Sequence, residues 1–291
     1  GLTAAISNST VTGTGNTCAL FFIQPPTITG HTATASTNKS GDGATAVTLD
    51  INVYGPSNTY KYVKIAPPQA QWGGAGSDGA APTTWIGSGT LGDAMTYANA
   101  NSGAYIKLQG NVDTTAVLEF AAGKTTVLDL NGFDIDRGLT SAIQNGMVLK
   151  VSGDLTLCDS STTTVANQGK ITGGNSTFDG GGVSVQKYGR FTMNGGNIAN
   201  NSVSESSVGG GVSVANNAVF TMKDGSIHNN TAIWGGGVGV PYANSPSGGS
   251  FTMTGGSITD NTATGSAYSA SGGVMLGGGV YTYPAIMSIG G

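Results

Sequence analysis

Apolar residues in this chain come in short bursts that alternate with polar ones, and in the C-terminal half the bursts repeat. Gly-Gly-Gly-Val occurs at Gly180–Val183, Gly209–Val212, Gly235–Val238 and Gly277–Val280. Phe-Thr-Met occurs at Phe191–Met193, Phe220–Met222 and Phe251–Met253, at spacings of 29 and 31 residues. Each is followed by Gly and Ile (Gly196 and Ile198, Gly225 and Ile227, Gly256 and Ile258), then by Asn201, Asn230 or Asn261. Within a unit, Val183 and Val185 share one face, as do Phe191 and Met193, and Ile198 opens a third burst. Period two is the signature of half-buried strands, and the Gly-Gly pairs would break a helix.

Three strands per repeat, separated by Gly or Asn, describe one coil of a parallel β-solenoid, in which each strand pairs with its equivalent about 4.8 Å away. Phe191, Phe220 and Phe251 then stack inside, as do Val183, Val212 and Val238. Asn201, Asn230 and Asn261 are expected both to take a left-handed backbone and to bond one another in a ladder. Gly fits where the coil turns sharply. A propeller blade needs about 40 residues and four strands, which these units lack.

The pattern fades toward the N-terminus. Gly169–Gly174, Leu155–Asp159, Val127–Gly132, Val117–Phe120 and Tyr105–Leu108 read as irregular early coils. Leu91 to Asn99 is the one helical pattern, with Leu91, Ala94, Met95 and Ala98 on one face, and it is placed to cap the solenoid's open edge. Residues 71–87, rich in Gly, Ala and Pro, read as a linker. Bursts at Ala19–Ile23, Ala46–Val53 and Tyr60–Ile65 read as a small β-sandwich-like region over 1–70. The expected architecture is therefore all-β: a right-handed parallel β-helix over 88–291 with a short N-terminal capping helix, about seven coils from residue 104, preceded by that small region.

Composition narrows the function. Gly fills 50 of 291 positions, only 9% of residues are charged, and the net charge is −4. Scattered charge of this kind argues against nucleic acid binding, which needs concentrated positive charge. The longest apolar run, Cys18 to Ile23, is far below the roughly 20 residues of a membrane helix. The chain reads as part of a longer protein. Cys18 and Cys158 have no metal-ligand spacing and are expected as buried free thiols.

The units FTMxxGSIxxNxA and GGGVxV resemble the repeats of bacterial surface β-helix proteins, the polymorphic outer-membrane and adhesin-like group. Leu128–Ile135, Leu155–Ser160 and Gly169–Gly174 resemble the lead-in coils of the same group, so the likeness covers about 85–291. Leu20–Pro25 with the alternating strand after it resembles the fimbrillin-like pilus proteins of Gram-negative gut bacteria. The resemblance implies a pectin-lyase-like solenoid at an extracellular, cell-surface location. It also implies a non-catalytic adhesin-like or structural role, pilus association included, with glycan or surface-protein partners and no cofactor. Two alternatives stay open: a polysaccharide-active β-helix enzyme, or a glycan-binding module of a larger one.

Catalysis on a β-helix would need carboxylates paired on adjacent strands, or a Lys or Arg beside an acidic cluster. Asp179, Glu205, Asp224 and Asp260 share no repeat position, and Lys187, Arg190 and Lys223 have no acidic cluster in register. Asp129, Asp134 and Asp136 form the densest acidic patch and are a weak candidate for Ca²⁺, although solvated face residues are the plainer reading. His31 and His228 have no partner at metal or triad spacing. Thr192, Thr221 and Thr252 form an outward column one residue wide. The binding candidates are Trp234, Tyr242 and Tyr268, at or near the insertions of the third repeat. Tyr188, Tyr281 and Tyr283 are further aromatics near variable segments.

Overall fold

The computed structural model describes residues 9–12, 32–36, 45–46, 62–66, 68–161, 164–178, 180–204, 207–240, 248–265, 274–276 and 286–289. From Ala104 onward the chain winds into a β-solenoid of about five turns, all its stacked strands parallel. The first face is built from Ala104–Leu108, Thr125–Asp129, Asp154–Cys158, Arg190–Ala199, Val219–His228, Ser250–Met253 and Ile286–Ile289. That face has the seven strands expected of seven coils, but the last corner is represented by only four: Asn175–Ser176, Ser202–Val203, Thr231–Ala232 and Thr262–Ala263. The early coils make that corner with irregular chain, so fewer turns are complete.

The repeat dictates the core. Phe191 pairs with Phe220 and Phe220 with Phe251 in register. Their rings are stacked 5.0 Å apart at interplanar angles of 16° and 22°, all essentially inaccessible. Val183, Val212 and Val238 form a second buried stack, and Ile135, Ile171, Ile198 and Ile227 a third. A single coil could not bury these faces, and the neighbouring coils do it for each other.

The Asn expectation divides in two. The left-handed position belongs to Asn200, Asn229 and Asp260, with φ of 57°, 54° and 54°. The ladder belongs to the next residue. Asn201 Nδ2 donates to Asn230 Oδ1 at 3.1 Å, and Asn230 Nδ2 donates to Asn261 Oδ1 at 3.0 Å. Asn201 and Asn230 also donate to the carbonyls of Ile171 and Ile198 in the preceding coil. The GGG motif divides likewise. Gly180, Gly209 and Gly235 have φ between 61° and 77°. At Gly182 a Cβ would instead lie 2.7 Å from Ile198 Cγ2 and 2.8 Å from Gly211 O, so the backbone approaches the core too closely for any side chain.

The helix runs Leu91–Ala100, and Leu91, Ala94, Met95 and Ala98 are buried as their spacing predicts. Thr90 closes a capping box: its Oγ1 accepts from Asp93 N, and its own N–H donates to Asp93 Oδ2. The helix covers the first coil, and Asn99 treats the strand Leu118–Phe120 as a neighbouring strand would. Its Nδ2 donates to Glu119 O at 2.9 Å, and its Oδ1 accepts from Ala121 N at 3.0 Å.

The stretch 71–87 is not an unstructured connection. Ala70–Gly74 pairs antiparallel with Ala104–Leu108 on one side and with Gly87–Gly89 on the other. Composition conceals this strand because its sequence, AQWGG, has low strand propensity; what holds it is the free edge of the first coil. Upstream, Ser9–Thr12, Tyr62–Ala66, Thr32–Ser36 and Thr45–Ala46 form one antiparallel sheet in that order. The remainder of the sandwich-like region, including Cys18, Ala19–Ile23 and His31, lies outside the described residues.

Candidate functional site

Trp234 follows the corner strand Thr231–Ala232 and bridges Val208 of the preceding coil in parallel. Its side chain is half-buried, and the indole Nε1 is buried with no hydrogen-bond partner among the described residues. Gly265 lies against it, since a Cβ there would come within 3.0 Å of Nε1. Gly265 donates to Ile233 O and is the last described residue before segment 266–273. Tyr242, Tyr268, Tyr281 and Tyr283 lie outside the described residues, as do Asp179 and Glu205. Of the three binding candidates the structure therefore places one, at the corner beside Gly265.

An exposed aromatic stands on the turn between Val183–Val185 and Arg190–Ala199. Gly189 N donates to Gln186 O at 2.8 Å, and Tyr188 sits inside that turn at φ 68°. Its side chain is 68% exposed, and Lys187 Nζ lies 5.0 Å from the ring centroid. Arg190, exposed, opens the following strand.

The acidic candidates do not converge. Asp129 points away from the core as alternation requires, yet it is 0% exposed rather than solvated. A second layer covers this face: Trp85 packs edge-on against Tyr105 with centroids 6.0 Å apart, and the turn at Ser160 closes over the carboxylate. Asp129 Oδ1 accepts from the N–H of Asn131 and of Ser160, and Oδ2 accepts from Tyr105 Oη at 3.0 Å and faces Lys107 Nζ at 3.6 Å. Asp134, on a different face, accepts from Lys170 N and lies 3.4 Å from its Nζ. Asp136 accepts from Gly138 N at 2.7 Å. These lone pairs organise turns, and among the described residues no group of three or more His, Cys, Asp or Glu could hold a metal ion.

Cys158 neighbours Asp129 in register. Leu157 points inward and is fully buried, so Cys158 points outward, half-buried, and does not join the core as expected. Burial, then the Asp129 charge, pushes its thiol up to about 12. Burial, with Cys158 and Asp129 beside it, also raises the Tyr105 hydroxyl above its ordinary value. Lys107 Nζ donates to Ser160 Oγ at 2.7 Å while facing Asp129. The cluster thus offers a protonated thiol, a protonated phenol and a cation, and no activated nucleophile.

One carboxylate pair escaped the repeat reading. Asp113 and Asp136 are in-register partners on adjacent parallel strands, Val112–Asp113 and Ile135–Asp136. Asp113 is exposed and lines a groove of about 510 Å³ between the helix and residues 112–119. The sequence signal was available as two short strands, VD and ID, but they lie before the regular repeats. His228 falls in register with Ala199 and Thr259. Compared with protein-family models, curated proteins and solved structures, the chain matches none.

Proposed function

We propose that this chain is a non-catalytic, adhesin-like or structural protein of the bacterial cell surface, pilus association included. In this reading it holds a glycan or a surface protein on an outward face of the solenoid. The carrying observation is the engagement of Asp129, Asp134 and Asp136, the densest acidic patch, by backbone N–H donors, which supports a role for these carboxylates in closing turns. The exposed or half-exposed aromatics at the corners, Phe178, Tyr188 and Trp234, supply contact area outside the core. No helix among the described residues is long and apolar enough to cross a membrane.

The test is a glycan array with a polysaccharide-degradation screen on the same preparation. Binding without turnover supports the reading. Replacing Trp234 and Tyr242 together by Ala should abolish retention with little change in Tm; a large fall in Tm would show them to be structural covers.

Polysaccharide hydrolysis is a second reading, favoured by Asp113 and Asp136. Adjacent strands lie about 4.8 Å apart, close to the roughly 5–5.5 Å between the carboxyl groups of retaining glycosidases. Turnover lost in both Asp113→Asn and Asp136→Asn would establish it.

A further inference from the structure

Of four aligned strand starts on one face of the solenoid, three follow a residue with left-handed backbone, and one of those three residues is out of keeping with the others. Thr125, Asp154, Arg190 and Val219 are in register at the start of their strands. Two residues before Thr125 stands Gly123 at φ 72°, and two before Val219 stands Asn217 at φ 60°. Gly and Asn are the residues that tolerate this backbone. Two before Arg190 stands Tyr188 at φ 68°, a bulky side chain in a conformation that such residues rarely adopt. Its burial does not offset the strain, because the ring is the most exposed large hydrophobic side chain among the described residues, at 68%.

One cation lies on the ring and a second opens the strand that follows it. Lys187 Nζ lies over the ring at 5.0 Å. Arg190 is exposed two residues on, and neither cation has a carboxylate within ion-pair distance among the described residues, although Asp154 is the strand partner of Arg190. An aromatic face with two unpaired cations on one turn is unusual in a chain with only 11 basic residues and a net charge of −4.

We infer that the Lys187–Arg190 turn is a contact site for a uronic-acid-containing polysaccharide. The Tyr188 ring would stack on the C–H face of a pyranose, and Lys187 and Arg190 would pair with its carboxylates. The chemistry follows from the parts: a phenol ring offers a flat apolar surface with low conformational entropy, and two flexible cations suit carboxylates spaced along a chain. This inference rests on the recognition reading above and names its ligand class.

The test separates binding from folding because Asn already serves at the aligned position. Native electrophoresis through gels containing polygalacturonate, with dextran as the neutral control, reads the interaction. The wild-type chain should be retarded by polygalacturonate, less so at high salt, and not by dextran. Tyr188→Asn should bind about tenfold more weakly, the order of one well-placed aromatic contact, with Tm equal to or above wild type. Lys187→Gln with Arg190→Gln should remove the salt-sensitive part. Retardation of Tyr188→Asn equal to wild type, equal retardation by dextran, or no retardation of wild type by polygalacturonate overturns the inference. Cleavage of polygalacturonate would instead overturn the non-catalytic reading beneath it, and product analysis of the same gels distinguishes the two failures.

Discussion

The coils from Val183 onward and the coils before them are held together by different means. In the later coils the main inward stations and the Asn corner repeat the same side chain: Phe on Phe, Val on Val, Asn on Asn. In the earlier coils the stations change, and individual polar groups close individual turns. Asp129 gathers Asn131 and Ser160, while Asp159 accepts from the N–H groups of Gly132, Ser161 and Gly169. Arg137, buried and without a carboxylate partner among the described residues, donates to the carbonyls of Asn145 and Met147, and its burial pulls its pKa below the ordinary value. Repetition lets one solution serve every coil, whereas the irregular coils need a separate polar solution for each loop; of these, Asp129 and Arg137 are buried and hard to substitute.

The comparison breaks most visibly at the ring stack. Phe220→Ala removes the middle ring and should lower stability by about 3–5 kcal/mol in denaturant titration. Next come the two polar devices. Asn230→Ala strands the amide of Asn201 and the carbonyl of Ile198 in a dry corner and should cost about 3 kcal/mol. Asp129→Ala leaves Tyr105 Oη and two N–H groups without their acceptor and should cost about 2 kcal/mol. Hydrogen exchange should localise the first loss to the coils around 201–261 and the second to 105–161; spreading of both over the whole solenoid would erase the distinction drawn here.

An effect confined to alkaline pH belongs to the early coils alone. The folded chain holds the Cys158 proton up to about pH 12, whereas an unfolded thiol releases it near about pH 8.5. The stabilisation is therefore complete below about pH 8.5 and is lost as pH rises toward 12, because the unfolded state then binds fewer protons. Tm should fall across this window, and less steeply in Cys158→Ser; an unchanged slope in that variant would remove Cys158 from the account. Smallest of all, Thr221→Ala, on the outward side of the same strand as Phe220, should change stability by under about 0.5 kcal/mol.

What could be read in advance follows the same division. The Phe, Val and Ile stations, the outward Thr column and the capping helix were legible because period two, period 3.6 and a repeat of about 30 residues each leave a trace in composition along the chain. The functions of Asp129 and Asp159 were not, because their partners lie up to 31 residues away without repetition. Alternation placed Asp129 and Cys158 on the outer face but could not show that Trp85 and the turn at Ser160 cover that face. The strand Ala70–Gly74 was hidden because its pairing partners, not its residues, determine it. At the candidate site, sequence placed Trp234 beside an insertion but did not show that its indole N–H is buried. The importance of Tyr188 appears only once its turn is aligned with those of Gly123 and Asn217.

The contact between Asn99 and the first coil has a consequence for association. A solenoid grows by adding parallel strands, so its first coil is a template on which any extended chain, including another copy, could continue the sheet. On the strand Leu118–Phe120 one carboxamide occupies that position by imitating a single residue of a missing strand. Loss of that amide would leave the carbonyl of Glu119 and the N–H of Ala121 unpaired on that edge, the opening that a parallel strand from another chain would need.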